Sequence, residues 1–124
     1  MKKKVLCFGN PELEDDAICT QLAKELKIKD VQFIYCSKPE EILDHNLTNL
    51  YLMDIVHGLE KVSLITDISR LNQAKSVTAH DFDLGFFLLL MESMNHAKGF
   101  KIIGLPPGIG KKAAKAEIIK LLTD

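Results

Sequence analysis

Two adjacent aspartates, Asp15 and Asp16, follow an apolar run and a turn in the stretch Val5-Leu6-Cys7-Phe8-Gly9-Asn10-Pro11-Glu12-Leu13-Glu14-Asp15-Asp16. Gly9, Asn10 and Pro11 break the run as turn residues do, and the acids stand just before a helical pattern. A third aspartate, Asp54, ends a second apolar run, Leu50-Tyr51-Leu52-Met53-Asp54. A charge there is costly unless it is paired or bound to a ligand. His80 opens a helical segment after a strand-like one. Carboxylates and an imidazole brought together from three chain segments form an oxygen and nitrogen donor set. Such a set suits a borderline divalent cation and leaves positions open for water and substrate. Two further readings belong to the same residues. Acids at a helix start act as caps and complement its dipole. Carboxylates held close raise one another's proton affinity, so one can work protonated and activate water without a metal.

The elements that must position these groups are legible from periodicity. Residues 4–8, 31–35, 50–56, 62–66 and 100–105 read as strands, and residues 75–78 as a brief further one. Residues 17–26 read as a helix with Ile18, Leu22, Ala23 and Leu26 on its buried stripe. Residues 39–43 read as a short helical turn with proline near its start. Residues 81–96 form a strongly apolar helix, entered through Thr78 and Asp81 in a capping-box pattern, with Phe82, Phe86, Leu89 and Leu90 as core. Residues 111–122 form an amphipathic helix with Ala114, Ile118, Ile119 and Leu122 inward. Alternating strands and helices predict an α/β three-layer sandwich, with a mostly parallel twisted sheet of about five strands and helices on both faces. The connection at residues 57–60 is too short for a crossover, so strand 62–66 is expected to form an antiparallel hairpin with strand 50–56. In a parallel sheet the acid pair, Asp54 and His80 all reach the carboxyl edge, where open α/β sheets keep their sites.

Length and composition bound the possibilities. The chain has 124 residues, one domain over 1–124, with 47% apolar and 27% charged residues and a net charge of −1. That charge gives no electrostatic case for nucleic acid or acidic lipid. The apolar residues after Lys2-Lys3-Lys4 are too few for a signal peptide. Residues 82–91 are interrupted by Asp83 and are too short to span a bilayer, so no membrane role is expected. Cys7, Cys19 and Cys36 lack metal or redox spacing and read as reduced, structural thiols of a cytoplasmic protein. The segment Gly104-Leu105-Pro106-Pro107-Gly108-Ile109-Gly110-Lys111-Lys112 looks superficially like a phosphate loop. Leu105 stands where the first glycine belongs, Lys112 replaces Ser/Thr, and the prolines remove amide donors. It reads as a strand-to-helix turn. His57 reads as a solvated turn residue, and Lys111, Lys112 and Lys115 as a solvated helix face able to meet an acidic partner.

The Gly9-Asn10-Pro11-x-Leu13-x-Asp15-Asp16 motif, the strand-end Asp54 and Thr78-x-His80 before a long apolar helix together resemble the hydrogenase maturation endopeptidases. Ala17 and Cys19 stand where that family usually carries glycines. The resemblance implies an α/β sandwich and an endopeptidase that removes the C-terminal extension of a nickel-loaded [NiFe]-hydrogenase large-subunit precursor. It implies nickel as the metal, brought by the substrate, with Asp16, Asp54 and His80 as its ligands and the catalytic residues. Gly9, Asn10 and Asp15 are then supporting loop residues. The precursor's C-terminus is the implied partner, and the protein is expected to be a monomer. Two alternatives stay open: a non-catalytic docking factor that checks nickel loading, and a metal-independent aspartic-type peptidase.

Overall fold

The structure, a computed structural model, describes residues 3–8, 17–36, 39–45, 50–56, 59–65 and 100–123. Its strands are β1 (Lys3–Phe8), β2 (Val31–Cys36), β3 (Leu50–Ile55), β4 (Ser63–Ile65) and β5 (Phe100–Leu105). Its described helices are α1 (Ala17–Glu25) and α2 (Lys111–Thr123), with a single 3-10 segment at Pro39–Asp44. The strands form one sheet in the order β2-β1-β3-β5-β4. The β1–β2, β1–β3 and β3–β5 pairs are parallel, and the β4–β5 pair is antiparallel.

Strand β3 is central, and all six of its residues are buried. A parallel strand covered on both faces must read as a continuous apolar run, which is why Leu50 to Met53 carry no polar residue before Asp54. On one face, Val5, Cys7, Tyr51, Met53, Ile55, Ile103 and Leu105 pack with Cys19, Leu22 and Leu26 of the α1 segment and Ala114, Ile118 and Leu122 of α2. A nine-residue helix is marginal alone, so this packing is what holds α1. On the other face Leu6, Leu52 and Ile102 are equally inaccessible, and Ile42 of the 3-10 segment is fully buried. The sheet is therefore covered on both sides, as an α/β sandwich requires.

Two local devices tie the helices down. The Lys3 ammonium donates to the Leu122 carbonyl at 2.7 Å, satisfying an end carbonyl of α2 with a cation, as helix C-termini favour. The Glu25 carboxylate at the end of α1 receives Lys111 and Lys115 of α2, each at 2.8 Å. Lys111 and Lys115 thus meet an acid on the chain's own first helix. Gly108 has φ 77° and the Ile109 amide donates to the Pro106 carbonyl at 3.3 Å. Those features mark a type II turn with Pro107 and Gly108 at its centre, and the segment is the strand-to-helix turn that its sequence suggests. None of the described helices is long and apolar enough to cross a membrane.

One expectation is corrected. β4 runs antiparallel to β3 but does not pair with it; its partner is β5, through Ser63↔Gly104, Leu64↔Ile103 and Ile65↔Ile102. Link length fixes the reversal of direction but not the neighbour. β5 takes the place beside β3, and the chain after β3 steps across the end of β5. The crossing leaves a mark: a Cβ on Gly104 would lie 2.7 Å from Leu59 Cδ1 and 3.0 Å from Val56 Cγ2. Glycine is what lets the crossing chain sit so close. The expected strand 75–78 and helix 81–96 fall outside the described residues.

Candidate functional site at the carboxyl edge of the sheet

Because β1, β2, β3 and β5 are parallel, Phe8, Cys36, Ile55 and Leu105 all lie at one edge. Asp54 stands at that edge on the central strand and has 0% exposure, the only buried charged residue among the described residues. Its Oδ1 accepts the Ile55 amide at 2.9 Å. A carboxylate placed so deep is held by specific contacts rather than by water.

The face on which Asp54 lies is opposite to α1 and α2, since Met53 and Ile55, its neighbours, belong to the helix-covered cluster. Along β3 it is flanked on this face by Leu52 and Val56, both fully buried. Across the ladder it is paired with Gly104. Gly104 presents no side chain to the carboxylate, and the space is occupied by Val56 and Leu59. Sequence reasoning singled out Asp54 and missed these three. The available signal was a lone glycine inside an apolar strand, which marks a close backbone approach.

Of the residues expected to share a cation, only Asp54 is among those described. Asp16 and His80 lie outside them, as do the loop residues Gly9, Asn10 and Asp15 and the turn residue His57. Asp16 immediately precedes Ala17, the first residue of α1, and follows β1 in the chain. Among the described residues no group of three His, Cys, Asp or Glu side chains could hold a metal ion. Nearby, a groove of about 580 Å³ is bounded by Leu59 and Val62 on one side and by Pro106 and Ile109, just past β5, on the other.

The thiols do not contribute reactive groups. Cys7, Cys19 and Cys36 are buried and form no disulfide. Burial, with Cys36 nearby, pushes the Cys7 thiol well above its usual range. Burial, then the carboxylates of Glu41 and Asp44, push Cys36 up to about 11. A nucleophilic cysteine needs the opposite shift.

Comparison with known proteins bears on the fold. No family model matches the chain, and no curated protein sequence matches it. Among solved structures, the [NiFe] hydrogenase maturation protease HybD from Thermococcus kodakarensis superposes with a TM-score of 0.67 at 18% identity, over 99% of this chain and 97% of that one. The five-stranded mixed sheet, the covered faces and this near end-to-end superposition establish that the chain has the α/β sandwich fold of a hydrogenase maturation protease.

Proposed function

We propose that the chain is an endopeptidase that removes the C-terminal extension of a nickel-loaded [NiFe]-hydrogenase large-subunit precursor. The observation that carries this reading is Asp54, a fully buried carboxylate at the carboxyl end of the central strand. It sits in a fold shared with a [NiFe] hydrogenase maturation protease, at the edge where a site is expected.

In this reading Asp54, Asp16 and His80 are the ligands and catalytic groups. The donor set fits nickel, since two carboxylates and an imidazole suit a borderline divalent ion and leave coordination free for the substrate. The Ile55 amide on Oδ1 fixes the orientation of the Asp54 carboxylate, as outer hydrogen bonds do for metal-ligating acids. Nickel belongs to the substrate; when docked it supplies a Lewis-acidic centre and a template for the tail. The apolar flank of Leu52, Val56 and Leu59 keeps water from the deep side of Asp54, so the carboxylate is spent on the substrate's cargo rather than on solvent. The groove between Leu59, Val62, Pro106 and Ile109 offers an extended peptide a partly apolar bed next to this edge. Gly9, Asn10 and Asp15 are supporting loop residues in this reading. The buried thiols fit a reducing compartment such as the cytoplasm.

The test is incubation of the purified chain with nickel-loaded and nickel-free precursor, followed by intact-mass measurement. A truncated product from the loaded precursor alone is expected. Binding without truncation identifies a docking factor instead. Truncation of both forms identifies a metal-independent peptidase.

A further inference from the structure

β3 and β5 are neighbours in the sheet, and the chain leaves their carboxyl ends in different directions. After β3 it leads to β4 on the far side of β5, whereas after β5 it turns at residues 106–109 into α2, which covers one face. In open α/β sheets ligands lie in the crevice outside the strand ends where connections diverge. The groove of about 580 Å³ is that crevice, with Leu59 and Val62 from the first connection and Pro106 and Ile109 from the second. Its rim carries the exposed Glu60, Lys61 and Glu117. Two carboxylates against one ammonium disfavour a phosphate or other polyanion. The apolar walls instead suit a side chain of a peptide.

Leu59 belongs both to this groove and to the surroundings of Asp54. It lines the groove, and its Cδ1 lies 2.7 Å from where a Cβ on Gly104 would stand. Gly104 is the residue opposite Asp54. We propose that Leu59 determines specificity: its side chain is the wall between the groove and the Asp54 edge, and it sets the size of the apolar side chain that a substrate tail can place there. This rests on the reading of the chain as a maturation peptidase and narrows it to one contact.

The other groups at this point are fixed. Val56 is fully buried and β-branched, and its amide donates to the Leu105 carbonyl at 2.9 Å. Pro106 is buried and its ring holds the backbone. Leu59 is half-buried and stands between β3 and β4, outside both strands. Shortening it leaves the sheet intact. Gly104 has no side chain to stand behind it, so the groove then opens toward the position opposite Asp54. A larger apolar side chain of the tail fits there. In an apolar pocket one methylene more or less is worth about 10–200-fold in discrimination.

The test uses nickel-loaded precursors whose tails carry Ala, Leu or Phe at successive positions beside the cleaved bond. They are processed by the parent, by Leu59→Ala and by the volume-conserving Leu59→Met. At one position the ratio of kcat/KM for the Phe tail to that for the Leu tail should rise at least about tenfold in Leu59→Ala, mainly through KM. Leu59→Met should keep the parental ratio. Each ratio is taken within one protein, so a partly unfolded fraction cancels. Truncation whose ratios are the same in the parent and Leu59→Ala at every position overturns the inference and spares the peptidase reading. A parent that truncates no tail overturns the peptidase reading instead. The same tails are then titrated as free peptides by calorimetry, and the ratio of their Kd values decides the inference. A ratio that Leu59→Ala shifts supports it, and an unshifted ratio or no binding overturns it.

Discussion

Gly104 stands opposite Asp54 across the β3–β5 pair, and the side chain it lacks leaves the room that Val56 and Leu59 occupy. The same two residues lie on the path of the chain from β3 into β4. Gly104→Ala places a methyl group 2.7 Å from Leu59 Cδ1 and 3.0 Å from Val56 Cγ2. The leucine end can rotate away, but the β-branched Val56 at the end of β3 has little freedom. Urea unfolding is expected to show a loss of about 1–3 kcal/mol, the range for overpacking. In a Leu59→Ala background the same change should cost less by about 0.5 kcal/mol or more, because residues in contact couple. Equal costs in both backgrounds would mean that Leu59 does not set the constraint.

Glu25 links α1 to α2, and its carboxyl is lowered to about 2, first by the hydrogen bonds from Lys111 and Lys115 and then by their charge. A depressed folded-state value means that the folded chain binds the proton more weakly than the unfolded chain does. The contribution is therefore complete above the ordinary value near 4.5 and disappears as pH falls toward about 2. All three side chains are substantially exposed, so salt should shrink the effect. Urea midpoints measured from neutral to acid pH at low ionic strength should fall less steeply in Glu25→Gln than in the parent. Parallel curves for the two proteins would remove the ion pair from the account.

Cys36, raised to about 11 by burial and by Glu41 and Asp44, should stay protonated in the folded chain at neutral pH, and so should the more deeply shifted Cys7. Alkylation is expected to be negligible until denaturant opens the fold. The sign on the alkaline side follows: a thiol held neutral when folded stabilises below its unfolded value near 9, and this is lost as pH rises through about 11. Rapid labelling of native protein at Cys7 or Cys36 would contradict the burial of these thiols.

Much of this arrangement is written locally in the sequence. The runs before Gly9 and Asp54 declare strands because an apolar stretch with β-branched or aromatic residues has few other uses. Asp54 announces itself because a charge ending such a run must be engaged. The partner of β4 was not legible: the short link after β3 encodes a reversal, but β5 arrives far later in the chain and takes the neighbouring place. Gly104 carries a signal as a lone glycine in an apolar strand, but its neighbour Leu59, distant in sequence, was not legible. The Glu25 clamp joins residues separated by more than eighty positions. Such pairings follow from topology, and local periodicity carries no trace of them.

The most direct measurement of the central claim compares the parent chain with Asp54→Asn on a nickel-loaded precursor in single-turnover processing followed by intact mass. Asparagine keeps an acceptor for the Ile55 amide, so the fold and unfolding midpoint should be nearly unchanged. Processing should drop at least about a hundredfold, beyond what loss of an outer-sphere partner causes. Processing by Asp54→Asn at the parental rate, with parental stability, would contradict the assignment of Asp54 to the site.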